Sequence, residues 1–186
     1  NVECFWESIW SYFEILHDGN LKSVTNGMPM PGTRWFEGTR LNYSEHIFRK
    51  KNDKYPAIIF KSESGPLRKI SWRELEEQVA SVQHYLKELG VTEGDRIAAY
   101  LPCIPEATVG FLAANSLGAV WTSCSPDFGT AAVIDRFAQI EPKVLITIDS
   151  YRYGGKNYDK QETVNSLVAS LPSLQSVILI SEKKTP

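Results

Sequence analysis

At 186 residues the chain is long enough for one domain, or one and a half, and can bury a core without disulfide or metal staples. A formal net charge of −2, with both signs interspersed, excludes the basic surface that binding to nucleic acid or an anionic membrane requires. No run approaches the ~18 apolar residues of a membrane span. Three cysteines, Cys4, Cys103 and Cys124, match no zinc spacing and read as free thiols in a reducing compartment, with Cys103 and Cys124 as small buried hydrophobes. The opening NVECFWESIW has no basic region of the kind that begins a secretory leader. Both ends read as cut from something larger.

Taken in order, residues 2–16 place Phe5, Ile9, Trp10, Phe13 and Leu16 at helical spacing. Residues 17–40 read as irregular because Asn26-Gly27, Pro29, Pro31-Gly32 and Gly38 are turn signals, with Trp35 and Phe36 pinning this arm to the body. Leu41 to Lys50 suits a short helix capped by Asn42. Ala57–Lys61 and Leu67–Ile70, joined through Ser64-Gly65-Pro66, form a hairpin. Ser71 and Glu74 make a capping box. The helix behind it carries Trp72, Leu75, Val79, Val82, Leu86 and Leu89 on one stripe and stops at Gly90.

Strand and helix then alternate. Strands are expected at 96–101, 119–123, 144–148 and 177–180, and helices at 105–117, 130–140 and 163–171. This pattern predicts an α/β fold: a three-layer, mostly parallel, flavodoxin-like sheet, preceded by a helical and irregular arm and a β-hairpin. The arm is expected over 1–55 and the α/β unit over 56–186.

Familiar chemical signatures are missing: no G-x-G-x-x-G, no phosphate loop of the usual type, no G-x-S-x-G and no H-E-x-x-H. His17, His46 and His84 are scattered, and His84 reads as a surface residue. The chemistry that remains lies in two loops after successive strands, which in such folds gather at the carboxyl edge of the sheet. In the first, Ser125-Pro126-Asp127-Phe128-Gly129, a stiff proline precedes an aromatic face, and Ser125 or Thr130 is placed to cap the next helix. The second, Asp149-Ser150-Tyr151-Arg152-Tyr153-Gly154-Gly155-Lys156, sets cations and rings beside paired glycines, as a phosphate-bearing ligand requires. Read alone, the first loop favours a tight cap with a buried Phe and the second a solvated turn; their placement facing one another at the sheet edge raises the case for a ligand site.

The segment Trp35-Phe36-Glu37-Gly38-Thr39-Arg40-Leu41-Asn42-Tyr43-Ser44-Glu45-His46 resembles the acetyl-CoA synthetase branch of the adenylate-forming enzymes. Thr92-Glu93-Gly94-Asp95-Arg96 through Pro102 is similar to a strand motif of the whole superfamily, continued by Ile104-Pro105-Glu106-Ala107 and Leu117-Gly118-Ala119-Val120-Trp121. Ser125-Pro126-Asp127-Phe128-Gly129 followed by Asp135-Arg136-Phe137 resembles the acetoacetate-activating branch, where acetate enzymes carry Gly-Gly-Phe. The resemblance implies a cytosolic acid–CoA ligase of lipid and ketone-body metabolism. It would use ATP and Mg²⁺ to form an acyl-adenylate from acetoacetate, then coenzyme A to release the thioester. Acetate or propionate as the acid, or a non-catalytic flavodoxin-like binding domain, are the alternatives.

The family's Thr/Ser/Gly-rich ATP phosphate loop and its C-terminal catalytic lysine have no match here. No catalytic or metal-binding residue is therefore assigned, ATP and metal sites are expected in the remainder of the polypeptide, and the chain by itself is expected to be inactive. Coenzyme A contacts carry over to Pro126, Asp127 and Phe128, then to Tyr153, Gly154, Gly155 and Lys156, with Arg152 beside them. Pro126 and Asp127 stand where acetate enzymes have two glycines, and Tyr153 where they have an arginine.

Overall fold

The computed structural model describes residues 1–181 and separates the chain into two units, Asn1–Arg49 and Lys50–Pro186. The closing Glu-Lys-Lys-Thr-Pro run lies outside the described residues.

In the first unit, α1 (Val2–Tyr12) is capped by Asn1, whose side chain accepts from the Glu3 amide at 2.9 Å. It ends earlier than the apolar spacing predicts, because Glu14 turns to a positive φ of 49°. The stretch expected to be irregular contains two strands, β1 (Asp18–Thr25) and β2 (Trp35–Arg40), paired antiparallel. Neither shows alternating burial, which is why periodicity missed them. Gly19 and Gly38 sit beside a register shift, where a Cβ on either would collide with the opposing backbone. Trp35 lies edge-on to Trp6 at 5.8 Å and Phe36 stacks on Trp10 at 4.3 Å, so the ring partners of both are on α1. Helix α2 (Tyr43–Phe48) starts at Asn42, whose side chain accepts from the Glu45 amide.

The second unit opens with the expected hairpin, β3 (Ile58–Phe60) and β4 (Arg68–Ile70). Helix α3 (Trp72–Glu88) has Ser71 as its cap and buries Leu75, Val79 and Leu86. It closes in a Schellman motif: the Gly90 amide bonds to Lys87 and the Val91 amide to Leu86. Then follow β5 (Arg96–Tyr100), α4 (Pro105–Ser116), β6 (Val120–Cys124), α5 (Thr130–Ala138), β7 (Val144–Ile148), a small ribbon, α6 (Gln161–Ser170) and β10 (Ser176–Ile180). The ribbon is β8 (Ser150–Tyr153) paired with β9 (Lys156–Asp159).

The four parallel strands run in the order β10-β7-β5-β6. Read from the far edge this is second, first, third, fourth, the flavodoxin-like winding that the alternation predicts. The inner strands are apolar on both faces because both are covered. One face carries α3 and α4; Gly110 lets α4 approach Trp121 and Ile146, where a Cβ would lie 3.0 Å from the indole. The other face carries α5 and α6, with Tyr100, Val133, Phe137, Leu145 and Leu167 packed as one core. Cys124 is buried there as expected, but Cys103 is exposed, because it falls in the turn after Pro102 rather than in a strand.

At the amino edge of the sheet, the Lys143 ammonium donates to the Asp95 carboxylate at 2.9 Å and to the Gly90 carbonyl at 2.6 Å. Both side chains of the pair are mostly covered. The Lys143 bond, then the Thr92 amide, hold the Asp95 carboxyl below the usual carboxylate range. Lys143→Met is expected to destabilise the unit by about 1–3 kcal/mol, since it strands a carboxylate and a carbonyl. A group with a depressed pKa contributes above its unfolded value and loses that contribution as pH falls through the folded one. Urea unfolding should therefore show the full Lys143→Met deficit at neutral pH and a smaller one in acid below the ordinary Asp range.

Candidate functional site

The loops after β6 and β7 meet at the carboxyl edge of the sheet. Tyr100, the last residue of β5, is fully buried, and its hydroxyl donates upward to the Pro126 carbonyl at 3.0 Å. Burial, with the Asp127 charge second, pushes its pKa up, so the proton stays in that bond. Pro126 is itself buried. It supports the loop from beneath and offers a ligand no side-chain surface.

Above it, Ser125 donates its hydroxyl to Asp127 Oδ2 at 2.8 Å and accepts from the Asp127 amide at 3.4 Å. This closes a local turn. The serine is thereby diverted from the capping role that spacing suggested. Helix α5 begins at Gly129 with no side-chain cap, and the Thr130 hydroxyl points instead to Thr163.

The other Asp127 oxygen accepts from the Tyr151 hydroxyl at 2.7 Å. This bond joins the two loops. The Tyr151 bond first, then Ser125, lower the Asp127 pKa. Burial first, then Asp127, raise that of Tyr151 well above the ordinary phenol. Tyr151 stacks on Tyr158 with centroids 5.3 Å apart, and the Lys160 ammonium lies 5.5 Å from its ring. Phe128 is exposed, with the Arg136 guanidinium 4.7 Å over its face.

The segment expected as a loop at 149–156 is mostly strand. Gly154 and Gly155 are the two turn residues of the β8–β9 hairpin, with φ of 59° and 76°. A two-residue turn with both φ positive is the type I′ geometry, which matches the twist of the strands and strongly favours glycine. Open space surrounds both positions, so the requirement is conformational rather than steric. The glycines thus shape the turn. Arg152, Tyr153 and Lys156 are exposed on the same hairpin, with Tyr153 opposite Lys156 in the ladder.

One residue at the hairpin tip gave no signal in the sequence. Both oxygens of the Glu63 carboxylate accept from the turn amides, Gly154 at 2.7 Å and Gly155 at 2.9 Å. The Gly155 bond, then the Gly154 bond, lower its pKa, and the Arg152 charge adds to this. Between the two hairpins and the turn after β5 lies a cleft of about 360 Å³, lined among others by Arg68, Pro102, Ile104, Arg152 and Tyr153. Among the described residues no three His, Cys, Asp or Glu side chains gather as a metal site. No helix there is long and apolar enough to cross a membrane.

The parallel α/β sheet carries two interlocked loops at its carboxyl edge, and the chain belongs to the AMP-binding enzyme family, whose model matches residues 45–186. The chain is 38% identical over 167 residues to the acetoacetyl-coenzyme A synthetase of Rhizobium meliloti, covering 90% of this chain and 26% of that protein. It is 37% identical over 179 residues to the acetoacetyl-CoA synthetase of Mus musculus, covering 95% of this chain and 27% of the relative. The solved acetoacetyl-CoA synthetase from Streptomyces lividans superposes with a TM-score of 0.94 at 42% identity, over all of this chain and 29% of that one. The chain therefore spans little more than a quarter of the length of these relatives.

Tyr151→Phe is expected to break the bond between the loops. The carboxyl of Asp127 should then titrate closer to the ordinary aspartate value, as read by NMR of its side-chain carbon.

Proposed function

We propose that this chain is the N-terminal part of an ATP-dependent acid–CoA ligase that activates acetoacetate, and that it forms one wall of the coenzyme A site. The observation that carries this reading is the Tyr151–Asp127 bond at the carboxyl edge. It sets the loop bearing Phe128 against the hairpin bearing Arg152 and Lys156. Coenzyme A has phosphates and an adenine ring. Exposed cations meet the first requirement, and exposed ring faces such as Phe128 meet the second. Asp127 is spent on two hydroxyl donors, which softens its repulsion of an incoming phosphate. Pro126, being buried, acts through the shape of the loop.

The acid, ATP and Mg²⁺ are assigned to the remainder of the polypeptide. This chain's described residues do not assemble a metal-ligand set, so no step through the metal is derived from them. Acetoacetate is favoured over acetate or propionate by the Ser-Pro-Asp-Phe-Gly loop and by the relatives' common activity. We place the protein in the cytosol, in lipid and ketone-body metabolism; its three cysteines are free thiols.

Two measurements test the reading. In the full-length protein, Lys156→Ala should raise the KM for coenzyme A by roughly five- to tenfold, the loss of one charge-assisted contact at an exposed site. Acetoacetate-dependent ATP–pyrophosphate exchange should stay unchanged. An unaltered KM removes Lys156 from the site. The 186-residue chain incubated with ATP, Mg²⁺, acetoacetate and coenzyme A should yield no thioester; product formation would overturn the division of labour.

A further inference from the structure

The β8–β9 ribbon has four residues in each strand, pairs with no third strand among the described residues and is exposed along all of β9. A two-stranded ribbon of this length is not stable alone in water, so its position depends on what holds it to the body. At its base the Tyr151 hydroxyl holds Asp127. At its tip the contact is Glu63, in the turn between β3 and β4. The amides of Gly154 and Gly155 sit in the two-residue turn, outside the ladder pairs, and the ribbon itself supplies them no acceptor. Glu63 gives one oxygen to each. The turn that presents Glu63 is itself shaped, since the Ser62 hydroxyl accepts from the Gly65 amide at 2.9 Å.

We propose that Glu63 is a positioning residue for coenzyme A: its carboxylate clasps the tip of the β8–β9 hairpin and so holds Arg152 and Lys156 where the nucleotide phosphates arrive. This rests on the coenzyme A reading above. The sign of the effect separates it from plain electrostatics. Glu63 is an anion beside the Arg152 cation, and deleting its charge should by Coulomb attraction alone tighten binding of a phosphate ligand. A clasp requires the reverse. Two fixed amides also hold the hairpin in one of its accessible poses, and the cost of ordering it would otherwise fall on ligand binding.

The test uses Glu63→Gln and Glu63→Ala in the full-length protein. Gln keeps the shape but turns an NH₂ donor toward one turn amide. Amide hydrogen exchange over residues 150–159 should accelerate by about tenfold or more in both variants, with β5 and α4 unchanged. The KM for coenzyme A should rise roughly three- to tenfold, while ATP–pyrophosphate exchange keeps its rate. Unchanged amide exchange overturns the clasp. Faster exchange with a level or lowered KM overturns the positioning role, a lowered KM marking Glu63 as a competitor for the phosphate. If Lys156→Ala raises the KM and Glu63→Gln does not, only this inference fails. If neither does, the coenzyme A reading fails and the positioning role falls with it.

Discussion

A buried hydroxyl must find a partner, and this constraint organises the upper edge of the sheet. The Tyr100 ring fills the core between β5 and the α5–α6 layer, and its oxygen sits where water has no access. Left unmet, such a group costs about 1–3 kcal/mol. The Pro126 carbonyl meets it, and the loop after β6 is thereby drawn down over the end of β5. Pro126 is then buried, Ser125 turns onto Asp127, and Asp127 is aimed at Tyr151. The chain of contacts runs from core to surface, each link oriented by the one below it.

The amino edge works differently. There Lys143 gathers Gly90 and Asp95 by charge, and Arg96 donates to the Ile140 and Glu141 carbonyls at the end of α5. These bonds hold strand starts and helix ends in place. The asymmetry fits the general rule that parallel α/β sheets bind ligands at the carboxyl ends of their strands.

The layered body was legible because its elements bury one face each. The stripe of α3, its Ser71 cap and Gly90 stop, and the doubly covered runs at β5 and β7 all leave periodic marks. The β1–β2 and β8–β9 ribbons bury no face, so they leave none, and glycine-rich stretches read as loops. The roles of single residues were hidden further. Cap spacing predicted Ser125 or Thr130 at the start of α5; a competing acceptor two residues on took the serine. Tyr100 looked like any core aromatic. Glu63 sits 91 residues from the turn it holds, and no local pattern can reveal a partner at that distance.

That separation has a consequence for how the molecule assembles. The parallel strands pair across intervals of a few tens of residues, and each pairing is reinforced by a helix laid over it. The tip contact closes a far longer loop for two hydrogen bonds at an exposed site, so closure entropy places it among the last contacts to form and the first to open. The hairpin at the carboxyl edge would then be set only after the sheet beneath it, and it can open without disturbing that sheet. On the proposal above, an insertion in the turn between β3 and β4 would loosen a hairpin 91 residues away in the chain.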